Sequence, residues 1–107
     1  MKRGEVYMVR ELGTSGSEMR KPRPWVVVGA NPINRARRTV IAVPLSTSQP
    51  ESYPVSIQVA AIGLRVVAVC DQIRAIDKGS FIHPASDQLS SNDLATIEES
   101  LRKILVL

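Results

Sequence analysis

A chain of 107 residues with a formal net charge of +4, one cysteine and one histidine is expected to form a single domain over residues 1–107. Cys70 alone excludes an internal disulfide. No apolar run approaches the roughly 20 residues of a membrane helix, and Met1-Lys2-Arg3-Gly4-Glu5 does not lead into the apolar stretch of a signal peptide. A cytoplasmic protein with no membrane partner is therefore expected. Aromatic residues make up only 4%, so the core must be built from Val, Ile, Leu and Ala. Charge is uneven: residues 1–40 carry nine Lys/Arg against Glu5, Glu11 and Glu18, a local net of +6, so the remainder is slightly acidic. Such a field either recruits a polyanion, nucleic acid or acidic protein, or simply keeps the surface soluble.

In chain order, Val6-Tyr7-Met8-Val9 reads as the first strand, followed by a Gly/Ser-rich loop through Gly13-Thr14-Ser15-Gly16-Ser17 that is expected to move, and that either closes over a substrate or is an idle loop. Trp25-Val26-Val27-Val28 is a continuous apolar strand between Pro24 and the Asn31-Pro32 turn. Thr39 to Leu45 forms the next, closed by Ser46-Thr47-Ser48. Val55 to Val59 alternates with period two, as a strand with one wet face does. Arg65 to Cys70 reads as a buried strand that Asp71 to Ile76 continues after a bend, with Cys70 as a small core residue. The one long helix starts after Ser90 or Ser91, with Asp93 in its first turn, and Leu94, Ile97, Leu101, Ile104 and Leu105 form one apolar stripe. Short strands plus a terminal helix predict a mainly β fold, a strongly bent antiparallel sheet or small barrel.

No cluster of Cys, His and carboxylates has metal-ligand spacing, and no phosphate-binding glycine loop is present, so no metal and no cofactor are expected. A Ser-His-Asp triad would have to run through His83, which sits beside Pro84 and reads as a strand end or loop. The chemistry left to Arg, Asp, Glu, Ser and Thr suits metal-independent RNA cleavage, in which the ribose 2′-hydroxyl attacks its own phosphate. That reaction needs a base, an acid and a cation for the crowded phosphorane, and the planar fork of arginine fits the last role.

Four blocks in order carry a family resemblance. Lys2-Arg3-Gly4-Glu5-Val6-Tyr7 resembles the (K/R)-R-G-(D/E)-(I/V)-(Y/W) opening of the MazF/PemK/Kid toxins. The segment Gly16-Ser17-Glu18 through Arg23-Pro24 is similar to their G-S/H-E segment ending in R-P, and Val43-Pro44-Leu45-Ser46-Thr47 to their (V/I)-P-(I/V/L)-T-S. Val67-Ala68-Val69-Cys70-Asp71-Gln72-Ile73-Arg74-Ala75-Ile76-Asp77-Lys78 resembles V-A-L-x-D-Q-(I/V)-R-(T/S)-I-D-K. Where the Kid branch places an arginine just before the aspartate, this chain has Val69 and Cys70, which puts it nearer the MazF branch.

The resemblance implies an SH3-like small barrel, a homodimer, and a sequence-specific, metal-independent endoribonuclease that cuts single-stranded RNA, with an antitoxin partner whose acidic, partly disordered tail occupies the same groove. Carried over residue by residue, it makes Arg23 the phosphate-binding catalytic arginine and Ser46 and Thr47 the hydroxyls on the phosphate. Glu18 and Asp71 become acid/base candidates, Glu18 alternatively orienting Arg20 or Arg23, and Asp71 alternatively capping a turn or holding Arg74. Arg20, Lys21, Arg35, Arg37, Arg38 and Gln72 are the candidate RNA contacts, although the 35–38 cluster is as readily a solvated face and Gln72 as readily a loop brace. Trp25 either stacks on a base or packs in the core. The rival readings are a non-catalytic toxin of the same fold that binds a protein, as gyrase poisons do, and a basic nucleic-acid-binding SH3-like module.

Overall fold

The computed structural model describes residues 1–10, 22–60, 62, 63 and 65–107. Its strands are β1 (Glu5–Val9), β2 (Arg23–Val27), β3 (Thr39–Ser46), β4 (Ser56–Gln58), β5 (Val67–Val69), β6 (Arg74–Asp77) and β7 (Phe81–Gln88), with helices α1 (Asn31–Ala36) and α2 (Ser91–Leu105). All described pairings are antiparallel, in the order β4-β5-β3-β2-β1-β7, with β6 also on β3. The mainly β fold with a terminal helix is as expected, and hydrogen bonding among the described residues leaves the sheet open between β4 and β7 instead of closing a barrel.

β3 is the central strand. One of its edges pairs with β2, while the other is shared, its first half taken by β6 and its last two residues by β5. Pro44 lies where that second edge changes partner, between Ala42 opposite Arg74 and Leu45 opposite Ala68. A proline in a central strand is tolerated there because no neighbouring strand needs the N–H it lacks.

Side-chain alternation on β2 and β3 feeds two cores, one on each face. Val26, Val43 and Leu45 join Val6, Ile57, Ala68, Cys70 and Ile97, and Leu101 and Ile104 of α2 pack against this first core. Trp25, Val27, Val40 and Ala42 join Tyr7, Val9, Ile76 and Phe81 in the second. This double burial explains why β2 reads as an unbroken apolar run. Trp25 is therefore a core residue and not a free stacking platform, and Cys70 is fully buried, with burial pushing its thiol up to about 11.

Two elements differ from the sequence reading. Asn31-Pro32 starts a short helix, with proline in its first turn, where the missing N–H is harmless. Asn34 anchors that helix, its buried Nδ2 donating to the Gly29 carbonyl at 2.9 Å. Phe81–Gln88 is an eight-residue strand, missed because its outer half (His83, Pro84, Ser86, Asp87, Gln88) is polar and solvent-facing. The bend expected after Cys70 is a 3-10 turn, Cys70–Gln72, and pairing resumes at Arg74, later than the expected Asp71. α2 starts where expected, with Ser90 Oγ accepting from the Asp93 N–H at 3.1 Å.

The N-terminal segment ties these parts together. The Arg3 N–H donates to Asn31 Oδ1 at 2.8 Å, Arg3 Nε donates to the Val28 carbonyl at 3.0 Å, and its guanidinium pairs with Glu98 of α2. Gly4 sits at φ +92°, between Val27 and Leu89, with backbone bonds of 2.7 and 2.9 Å to them. A Cβ at Gly4 would meet Gln88 Nε2 at 2.7 Å. Gly4→Ala should accordingly lower stability by about 1–2 kcal/mol from the left-handed backbone alone, seen as a fall of several degrees in Tm by thermal circular dichroism.

Glu5 accepts from the Lys2 N–H at 2.6 Å and from Tyr7 Oη–H at 2.8 Å. The Lys2 N–H leads the causes that hold the Glu5 carboxyl below its usual value, while burial and then Glu5 itself push Tyr7 up to about 12. A raised tyrosine favours the fold fully below its unfolded value of 10.0 and loses that contribution as pH climbs toward 12. A lowered carboxyl stabilises above 4.5 and stops doing so as pH falls through its folded value. Denaturation of Tyr7→Phe across both windows should show a smaller stability loss than wild type from pH 10 to 12, and a smaller one on acidification.

Candidate active site

The β2–β3 register pairs Trp25 with Pro44, Val26 with Val43 and Val27 with Ala42. Two further steps carry Arg23, the first residue of β2, opposite Ser46, the last residue of β3. There the sheet ends in a hollow of about 310 Å³. Arg23, Ser46, Thr47 and Ser48 form its polar side, and Pro22, Pro24, Leu45, Ile62 and Val66 its apolar side. Three of the residues predicted as catalytic are thus brought together from segments more than twenty positions apart.

Prolines on both sides of Arg23 fix backbone torsions and so aim its side chain. Arg23 is exposed, and its guanidinium has no hydrogen-bond or ion-pair partner among the described residues. Ser46 Oγ accepts from the Ser48 N–H at 3.1 Å and lies 3.1 Å from Ser48 Oγ, a side-chain-closed turn that leaves Thr47 exposed at its apex. A guanidinium fork, hydroxyl donors and an apolar wall make a site for an oxyanion, with the wall strengthening the attraction by excluding water.

The described lining contains no carboxylate or imidazole. Asp71 and Gln72 lie on the 3-10 turn beyond β5, exposed, away from the hollow's lining, and neither side chain has a partner among the described residues. Arg74 in particular is not held by Asp71. Glu18, Arg20, Lys21 and the Gly/Ser loop lie outside the described residues. Arg35, Arg37 and Arg38 are all exposed, at the other end of β3 from Ser46, up to about 23 Å along the strand at 3.3 Å per residue. Arg37 and Arg38 border a separate hollow of about 320 Å³ with Ala36 and Thr39. His83 lies in β7, exposed, its ring edge-on to Tyr7 at 5.2 Å, and it does not line the hollow at Arg23.

Sequence reasoning missed a second hollow that shares Thr47 and Ser48 with the first and draws on Gln49, Glu51, Gln58 and Arg65. Its only trace in the sequence is Gln58, on the wet face of an alternating strand. Arg3, counted with the basic half, is an internal tie between β2, α1 and α2.

The chain is similar to known proteins in both sequence and fold. The chain is 31% identical over 111 aligned positions to a Mycobacterium tuberculosis protein named Endoribonuclease MazF9, covering 95% of this chain and 93% of that one. It is 32% identical over 83 positions to Endoribonuclease PemK of Escherichia coli, covering 72% of this chain and 61% of that protein. Among solved structures it is similar to a mycobacterial endoribonuclease in complex with its cognate antitoxin, with a TM-score of 0.82 and 25% identity over 100% of this chain and 96% of that one. The fold also matches a Deinococcus radiodurans MazE–MazF structure, with a TM-score of 0.84 at 20% identity, covering 100% and 96%. The model of the PemK-like, MazF-like toxins of type II toxin–antitoxin systems matches residues 2–105, and the chain belongs to that family.

Proposed function

We propose that the protein is an endoribonuclease toxin that cleaves single-stranded RNA, mRNA in the cell, at a specific sequence and without a metal ion. The observation that carries this reading is the convergence of Arg23, Ser46 and Thr47 on the polar side of one hollow. In the reaction, a base takes the proton of the ribose 2′-hydroxyl as that oxygen attacks the adjacent phosphorus. The bond from phosphorus to the 5′-oxygen breaks, an acid protonates the departing oxygen, and the products are a 2′,3′-cyclic phosphate and a 5′-hydroxyl. Arg23 stabilises the charge that builds on the phosphorane, with Thr47 and Ser46 on the phosphate oxygens.

Glu18 and Asp71 are the acid/base pair that the family resemblance assigns. Arg20 and Lys21 contact the RNA beside the cut, Gln72 meets it farther along from the 3-10 turn, and Arg35, Arg37 and Arg38 engage it only at a distance from the scissile phosphate. The protein acts in the cytoplasm as a homodimer, which would cover part of the apolar surface left at Ile33, Ile41, Tyr53 and Val55. An antitoxin with an acidic, partly disordered tail neutralises it by placing carboxylates where the phosphate sits.

The test is cleavage of a long single-stranded RNA in excess EDTA by the wild type and by Arg23→Ala. Site-specific cuts with 5′-hydroxyl ends should persist in EDTA and slow by roughly 10²–10³-fold in the variant, as for other donors aimed at a developing oxyanion. No cleavage of any RNA, combined with inhibition of gyrase, would establish the non-catalytic reading instead.

A further inference from the structure

The second hollow, of about 420 Å³, adjoins the first through their shared Thr47 and Ser48. Gln49, Glu51, Gln58 and Arg65 on its wall are exposed, and none of these side chains has a hydrogen-bond or ion-pair partner among the described residues. The sheet fixes its distance from the phosphate-binding residues. Ser46 pairs with Val67, and Val67 pairs with Gln58, so these three lie in one row across β3, β5 and β4. Directly opposed residues project from the same face. At about 4.8 Å per strand, Gln58 stands about 10 Å from Ser46, on the scale of a nucleoside attached to the phosphate at Arg23. Arg65 is held at φ +64°, the left-handed conformation of a turn residue, which fixes where its side chain leaves the loop before β5.

The donors and acceptors gathered here point to one base. Guanine presents O6 and N7 as adjacent acceptors, which the fork of an arginine grips with two bonds. Its N1–H and 2-amino group are adjacent donors, which a carboxylate accepts as a pair. Adenine puts an amino group where the guanidinium needs an acceptor, and pyrimidines have no N7. Arg65 and Glu51 therefore match the two adjacent edges of guanine that meet at O6, with the amides of Gln49 and Gln58 on the same wall.

We propose that this second hollow is a base-reading subsite that selects guanine beside the scissile phosphate, with Arg65 and Glu51 as its specificity-determining residues. The proposal rests on the endoribonuclease reading. It is tested by sequencing the cut ends of a long RNA for wild type, Arg65→Gly and Glu51→Gln. Glycine suits φ +64°, so the first variant removes the guanidinium without straining the loop. Glu51→Gln keeps the shape and removes the charge.

Wild-type cuts should carry guanine within one nucleotide of the break. The guanine-to-adenine ratio of kcat/KM on matched oligonucleotides should fall on the order of tenfold to a hundredfold in each variant, with base preference at other positions intact. Inosine, which lacks the 2-amino group, should slow the wild type and leave Glu51→Gln indifferent. Cleavage with no guanine at the cut, or a guanine preference untouched in both variants, overturns the subsite while leaving the endoribonuclease standing. Failure of the wild type to cleave any RNA overturns both.

Discussion

The antiparallel pairing of β2 with β3 sets Trp25 against Pro44, Val26 against Val43 and Val27 against Ala42. Because residues on these strands are buried alternately in two different cores, the pairing tolerates no slip. A shift by one residue would exchange the side chains of the two cores, putting Trp25 among residues that accept valine. The same register decides where β2 begins and β3 ends relative to each other. Arg23 and Ser46 face one another because the hydrophobic residues between them and the helix α1 end of the sheet leave no alternative. The site is thus a by-product of core packing: burial sets Arg23 opposite Ser46, and the direct bonds within the site are those that close the Ser46–Ser48 turn.

That arrangement divides the arginines into distinct physical roles. Arg3 is used internally, with three separate interactions to Asn31, Val28 and Glu98. Arg23 stands between two prolines at a hollow, with no hydrogen-bond or ion-pair partner among the described residues, which leaves its charge directed at the hollow. Arg35, Arg37 and Arg38 lie beyond the opposite end of β3 and contribute to the long-range field, not to the geometry of a bound phosphate. A local net charge of +6 over residues 1–40 therefore includes one structural tie at Arg3, one candidate chemical group at Arg23 and one remote patch at Arg35, Arg37 and Arg38, beside Lys2, Arg10 and residues outside the described part of the chain.

Most of the fold was legible because β-branched runs and helical spacing are strong signals. β1, β2, β3 and α2 fall within one or two residues of where composition placed them. β7 was not legible, since a strand with a polar outer face, a histidine and a proline lacks the apolar alternation that announces a strand. The turn at Asn31-Pro32 hid a helix because proline is as welcome in a first helical turn as in a β-turn. Arg23, Ser46 and Thr47 were visible as motif residues, while their convergence depends on register, which no local pattern encodes. The second hollow was invisible for the same reason, being assembled from a loop, β4 and the segment before β5.

The central claim is that Arg23 and Thr47 act on one phosphate, and a double-mutant cycle on the rate of RNA cleavage measures this directly. Groups that share a target are non-additive, by roughly 0.5–3 kcal/mol. Arg23→Ala combined with Thr47→Ala should cost markedly less than the product of the two single losses. Strict multiplication of the two effects, with each variant folded as wild type, would mean that the hollow does not bind a single phosphate and would contradict the account.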